Sequence, residues 1–164
     1  MAQNKTILNG FYNVTNKIRQ SLQSEPFVNT VTFGDLFDVD LNKQTIFPLA
    51  HLIVSNATLN GNIWQINFDL LLMDLVDETK TYKHEVINDF SNFQGNNNEQ
   101  DILNTQLAVA NRIFELLRRG SLYDDLYQLE GSPSCTPFMD RFENKLTGWT
   151  CSFSVIIANN MSIC

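Results

Sequence analysis

From Ile63 to Val76 the chain carries no proline or glycine and places Trp64, Ile66, Phe68, Leu70 and Leu72 at every second position, the period of a β-strand. At about 3.3 Å per residue, a strand of this length spans roughly 46 Å, more than the diameter near 40 Å expected of a compact chain of this size. A second extended run covers about residues 49–59 and meets the first at Asn60-Gly61, a strong signal for a two-residue hairpin because both residues tolerate positive φ. A type I′ turn there predicts Leu59 opposite Asn62, and hence Ala57 opposite Trp64, Ser55 opposite Ile66, Ile53 opposite Phe68 and His51 opposite Leu70. The tip of this hairpin, with Thr58, Asn60, Gly61 and Asn62, is polar, and its base is apolar.

Elsewhere the period is helical. Ile7, Phe11, Val14, Ile18 and Leu22 recur at three- and four-residue steps, predicting an amphipathic helix from Thr6 to about Gln23 that Ser24-Glu25-Pro26 ends. A second helix begins after Asn97 or Asn98, with Glu99 and Asp101 in its first turn and a predicted buried stripe of Leu103, Leu107, Ala110, Ile113, Phe114 and Leu117. Arg118 and Arg119 suit its negative end, and Gly120 suits a left-handed cap. Residues 77–98 are polar with embedded aromatics and no sustained period, the pattern of a mobile loop. "FVNTVTFGDLFDVD" reads as extended chain interrupted at Gly34-Asp35, and "DLYQLEG" and "PFMDRFENKLTG" as strand and turn pieces. "WTCSFSVII" is a strand with Trp149, Cys151, Phe153, Val155 and Ile157 on one face. The order helix, strands, long hairpin, loop, helix, strands predicts an α+β domain over residues 1–164: an antiparallel sheet with a long protruding hairpin, packed by an N-terminal and a central helix.

Composition adds constraints. A chain of 164 residues with 43% hydrophobic and 11% aromatic content is long enough to bury a sizeable core as one domain. Its formal charge of -7 argues against clamping nucleic acid through phosphates. The three cysteines, Cys135, Cys151 and Cys164, form no C-x-x-C pair and fit a reducing compartment. Neither a signal peptide nor a transmembrane run is apparent, so a soluble protein inside the cell is expected. The N-x-S/T sequons at Asn13, Asn56 and Asn160 are read as coincidence in an Asn-rich chain.

Catalytic motifs are sparse. No phosphate-binding glycine loop or nucleophile elbow is present, and His51 and His84 are the two histidines. Asp69, Asp74, Asp77 and Glu78 are acidic enough as a group to hold Mg²⁺, but strand parity puts Asp69 and Asp77 on one face and Asp74 and Glu78 on the other. A solvated strand end is the better account. His51 is expected to be a satisfied core or interface histidine, and Cys151 an inert buried thiol. Arg118 and Arg119 are explained by helix-end electrostatics and are also candidates for partner contact. The alternating charges of "DRFENK" offer Arg141, Glu143 and Lys145 for inter-subunit ion pairs, or else form a solvated turn.

An overlong hairpin without a catalytic constellation points to a structural protein whose strands are completed by neighbours. "ILNGFYNVTNKIRQSLQ", "FPLAHLIVSNATLNGNIWQINFDLLLMDLVDE", "GNNNEQDILNTQLAVANRIFELLRRG" and "RFENKLTGWTCSFSVII" resemble small proteins encoded among the virion genes of Bacteroidota phages. Their order resembles the tail-terminator (tail-completion) family of tailed phages. The resemblance implies an α+β fold, a homohexameric ring on the last tail-tube ring, and a virion protein at the head-tail junction, assembled in the host cytoplasm. Its implied partners are the tail-tube protein, a head-completion or connector protein, a sheath protein if the tail contracts, and DNA passing through the lumen without specific binding. No cofactor, metal or enzymatic activity is implied. Other neck or tail components (connector, stopper or tube protein) remain open, as does an unrelated binding module or metal-dependent enzyme.

Overall fold

A computed structural model of the protein describes residues 9–76, 98–124, 127–141 and 145–159. The architecture is α+β, with helices laid on one face of a five-stranded sheet. Helix α1 (Asn9–Gln23) leads into β1 (Thr30–Phe33), and two short 3-10 turns separate β1 from the hairpin of β2 (Leu49–Asn60) and β3 (Ile63–Leu75). Helix α2 (Glu99–Arg119) and the single turn α3 (Ser121–Asp124) precede β4 (Gln128–Arg141) and β5 (Leu146–Ala158). The strand order is β1-β2-β3-β5-β4. All neighbours are antiparallel except β1 and β2, so the sheet is mixed where a purely antiparallel one was expected.

The long strand is the centre of this sheet. Every β3 residue from Ile63 to Leu75 pairs with β5, from Ala158 back to Leu146, so one edge of the strand is filled by the same chain along its whole length. That explains the alternation seen in the sequence: Ile66, Phe68, Leu70 and Leu72 face the helices and are buried, as are Cys151, Phe153, Val155 and Ile157 beside them on β5. Phe153 stacks on Phe68 at 5.5 Å between ring centroids and meets Phe114 of α2 edge-on at 5.4 Å. Val14, Ile18 and Leu22 of α1 and Val109, Ala110, Ile113 and Leu117 of α2 complete this core.

A smaller core lies at the hairpin base on the other face. Leu49, Met73, Phe138 and Leu146 are covered there by Phe47, with Leu36, Val39, Leu41 and Ile46 packed around them. The covering segment is shaped by its polar residues. Asp35 accepts a hydrogen bond from the Phe37 N–H at 3.0 Å, and Asp40 accepts one from Asn42 N–H at 3.1 Å.

Several expectations change. The hairpin turns at Gly61-Asn62, one residue later than the Asn60-Gly61 reading, and Asn60 pairs with Ile63. Gly61 alone in the turn has positive φ, 62°, the requirement of a turn with glycine first rather than of type I′. Near the tip this shift of two in pairing preserves the facing, but a bulge at Ser55 shifts the register again, so that Val54 meets Phe68 and Leu52 meets Leu70. His51 therefore lies opposite Leu71, on the face away from the large core, and not opposite Leu70.

Helix α1 begins at Asn9 in the described residues, and Thr6 and Ile7 lie outside them, as do residues 77–97 of the expected loop. On α2 the buried face is Ile102, Gln106, Val109, Ala110, Ile113, Phe114 and Leu117. Leu107 is 41% exposed and Leu103 half-buried, so the buried stripe is rotated from the expected one; Trp149 Nε1–H donates to the Leu103 carbonyl at 2.8 Å and Gln106 Nε2 to the Phe27 carbonyl at 3.3 Å. Gly120 is extended, φ -106°, and not left-handed; a Cβ there would stand 2.7 Å from the Leu116 Cα, so the glycine serves close approach.

Candidate functional site: the open edge of the hairpin

β1 covers β2 only from Leu49 to Leu52, and the Gly34 N–H closes that short ladder on the Leu52 carbonyl at 3.1 Å. Beyond it, no strand among the described residues pairs with the outer side of Ile53–Asn60. Ser55, Asn56, Ala57, Thr58, Leu59 and Asn60 are all exposed. Among the described residues, this edge lacks most of the features that usually keep a sheet from growing. It contains no proline, no lysine and no charged residue, and only the Ser55 bulge interrupts it.

The opposite edge is built differently. β4 has lost its ladder with β5 between Glu130 and Ser134 and again between Phe138 and Arg141. The first break contains Gly131 with φ 66° and Pro133, and Pro137 follows between the two breaks. Proline has no N–H to offer a further strand, so β4 is the better guarded edge and β2, with its single bulge, the more open one among the described residues.

The hairpin tip is held rather than loose. The Asn159 N–H donates to the Asn62 carbonyl at 2.7 Å, and Trp64 Nε1–H donates to Asn159 Oδ1 at 3.3 Å. Lower down, side chains form cross-strand chains on the face away from the helices. Asn67 donates to Asn56 and accepts from Ser154, while Asp69 accepts from Ser55 at 2.6 Å and from Ser152. These bonds stiffen the outer strand and leave its own edge unfilled. On the flank beside that edge stand Leu59, 49% exposed, and Phe33, which meets Phe11 of α1 edge-on at 6.5 Å.

Of the other candidates, Thr58, Asn60, Gly61 and Asn62 lie together at the tip and are exposed. Arg118 and Arg119 are at the far end of α2, where Arg119 Nε lies 2.5 Å and Arg118 Nη1 3.9 Å from Glu115 carboxylate oxygens. Arg119 also lines a groove of about 350 Å³ with Glu25, Arg112, Glu115, Leu116 and Gly120, and in it Arg112 pairs with the nearly buried Glu25 at 3.0 Å. Lys145 is exposed with φ 49°, and its carbonyl accepts from the Val76 N–H at 3.1 Å. The Arg141 side chain and Glu143 lie outside the described residues. Thus the structure brings the tip residues to the β2 edge, but it does not join the arginine pair to them.

The titratable groups are dispersed. Asp69 and Asp74 point to opposite faces of β3, Asp77 and Glu78 lie outside the described residues, and no metal-holding cluster of His, Cys, Asp or Glu occurs among those described. Burial pushes the Asp74 carboxyl up, partly offset by the Leu75 N–H that it accepts at 2.8 Å. His51 is fully buried, and burial pulls its imidazole below the usual range against the opposing effects of the Gly34 carbonyl and Asp35. A carbonyl only accepts, so Nε2 carries the proton that bonds Gly34 at 2.9 Å, and Nδ1 accepts from the Thr32 hydroxyl at 2.7 Å. His51 is a tie between β1, β2 and the following loop. A satisfied core or interface histidine was expected here; its two partners were not legible, because the parallel β1–β2 pairing brings them together.

No protein-family model matches the chain, and no curated protein matches it. No described helix is long and apolar enough to cross a membrane.

Proposed function

We propose that the protein is a structural virion component that forms a ring, of six copies by its resemblance to tail terminators, at the head-tail junction of a tailed phage. There it ends the tail tube and offers a docking surface to the head. The observation that carries this reading is the outer edge of β2 from Ile53 to Asn60, with which no strand among the described residues pairs. A row of unpaired backbone N–H and C=O groups can accept a strand from another chain, and such pairing gives strength while demanding little of side chains. The strand is uncharged, so adjoining copies of a chain with net charge -7 are not repelled at this contact. Closed rings use two different surfaces of each copy. β4, with its bulge and prolines, is unsuited to be the second, which leaves another surface of the neighbour to meet β2.

The open edge suits a second copy of the chain, and the resemblance to tail terminators adds the tail-tube protein below and a head-completion or connector protein above. The reading is tested by mixing the purified chain with tail tubes and imaging them in negative stain. Rings on tube ends are expected. Decoration along the tube, or none, would transfer the protein to another neck or tail role.

A further inference from the structure

Cys135 on β4 and Cys151 on β5 are directly opposed in the sheet register, and both thiols are free. Residues opposed in this way have Cα atoms about 4.5 to 5.5 Å apart, inside the range of about 4.4 to 6.8 Å that disulfides span. They share the helix-side face: Cys151 is fully buried in the large core, and Cys135 packs against that core from the edge strand, half-buried. Burial, and then a hydrogen bond with the Cys135 side chain, push the Cys151 thiol up. Their opposed register and their shared place at the large core make the two side chains neighbours. The surrounding ladder gives a bond between them something to hold, because the stretch of β4 that carries Cys135, Ser134 to Phe138, pairs with β5 between two breaks in the ladder.

We propose that Cys135 and Cys151 are a modification site: under oxidising conditions they close an intrachain disulfide that ties the edge strand β4 to the interior strand β5. The alternative is two small apolar side chains packed side by side with no redox role. With a small-molecule disulfide as oxidant, the Cys135 thiolate, the accessible partner, attacks one of its sulfurs, forms a mixed disulfide and releases one small thiol. Cys151 then loses its proton and attacks the Cys135 sulfur, the protein disulfide forms, and the second small thiol leaves. Two protein thiols are oxidised and one disulfide reagent is reduced to two thiols. The elevated Cys151 thiol makes the second step slow, so the pair stays reduced in a thiol-rich compartment and closes only on sustained exposure to oxidant. The proposal does not depend on ring formation.

The test uses the full chain with Cys164→Ser, incubated folded with oxidised glutathione at pH 8, quenched with acid, unfolded and assayed for thiols and by peptide mass mapping. Loss of both thiols is expected, with a single linked peptide pair containing Cys135 and Cys151 and a melting temperature raised by several degrees that reductant reverses. Cys135→Ser, a change at a half-buried position, should fold, gain no link and show no such rise. Two thiols still titratable after unfolding, a glutathione adduct that persists on Cys135, or a linked protein that melts no higher would each overturn the proposal.

Discussion

His51 shows how one buried side chain makes stability depend on pH. Its folded pKa is lowered by burial, so below about pH 6.5, the unperturbed value, the unfolded chain binds more protons than the folded one. The tie to Thr32 and Gly34 is therefore fully effective above that pH, and stability declines as pH falls through 6.5 towards the folded pKa. Urea melts from pH 7.5 to 5.5 should show this slope, and His51→Asn, weaker throughout, should lack it. A slope that survives the substitution would place the titration elsewhere. Asp74 has the opposite character, since burial of its charge is unfavourable at neutral pH. Asp74→Asn keeps an acceptor for the Leu75 N–H, and its melting temperature at pH 7 should equal or exceed that of the parent; a clear loss would mean that the charge itself is bound by a partner.

At the scale of elements, the alternation in β3 and β5 was legible because both strands have one wall of helices, and Phe68, Leu70, Phe153 and Val155 must all point into it. Two helix ends were legible from their own residues, since Ser24-Glu25-Pro26 follows the end of α1 and α2 starts after Asn98, although the Asn98 side chain makes no capping bond and Gly120 is not left-handed. The register and the helix rotation were not. A bulge at Ser55 leaves no composition signal, and both the Leu52/Val54 and the His51/Ile53 alternations contain apolar residues. On α2, Leu103 and Leu107 compete with Ile102 and Val109 for the buried face, and a helical period alone does not say which set meets the sheet.

The consequence can be measured. Phe114→Ala should cost about 3 to 5 kcal/mol, while Leu107→Ala, at an exposed position, should stay within about 1 kcal/mol. Equal losses would restore the stripe predicted from periodicity. Gly148 tests the β3–β5 seam more severely. A Cβ there would lie 1.8 Å from the Leu72 carbonyl oxygen, so Gly148→Ala must displace backbone and should lower stability by about 3 kcal/mol or more. A variant that melts like the parent would show that this seam can part without cost.

For the whole molecule, the length of the hairpin has two explanations that apply to different strands. β3 is long because β5 is equally long, and the pair forms the spine of the monomer. β2 matches β3 on its inner side, but on its outer side, among the described residues, β1 stops at Phe33 and leaves the edge of Ile53–Asn60 unpaired. The candidate tip residues Thr58, Asn60, Gly61 and Asn62 were found from polarity alone. The open edge itself could not be, because it depends on how little of β2 is covered by β1, a parallel pairing with no sequence signature. Shortening both arms of the hairpin would damage β3 and its bond to Asn159, so a change confined to the outer strand separates assembly from folding better.

That change is Thr58→Lys with Asn60→Lys, which places two charges on an exposed edge in the way that natural sheets resist pairing. The most direct measurement is the mass distribution of parent and double variant in solution, with and without tail tubes, at matched helix signal and melting temperature. The account predicts rings of the parent, formed alone or on tube ends, and a folded double variant that remains a monomer under both conditions. A parent that stays monomeric even with tubes present, or a double variant that forms the same rings as the parent, would contradict it.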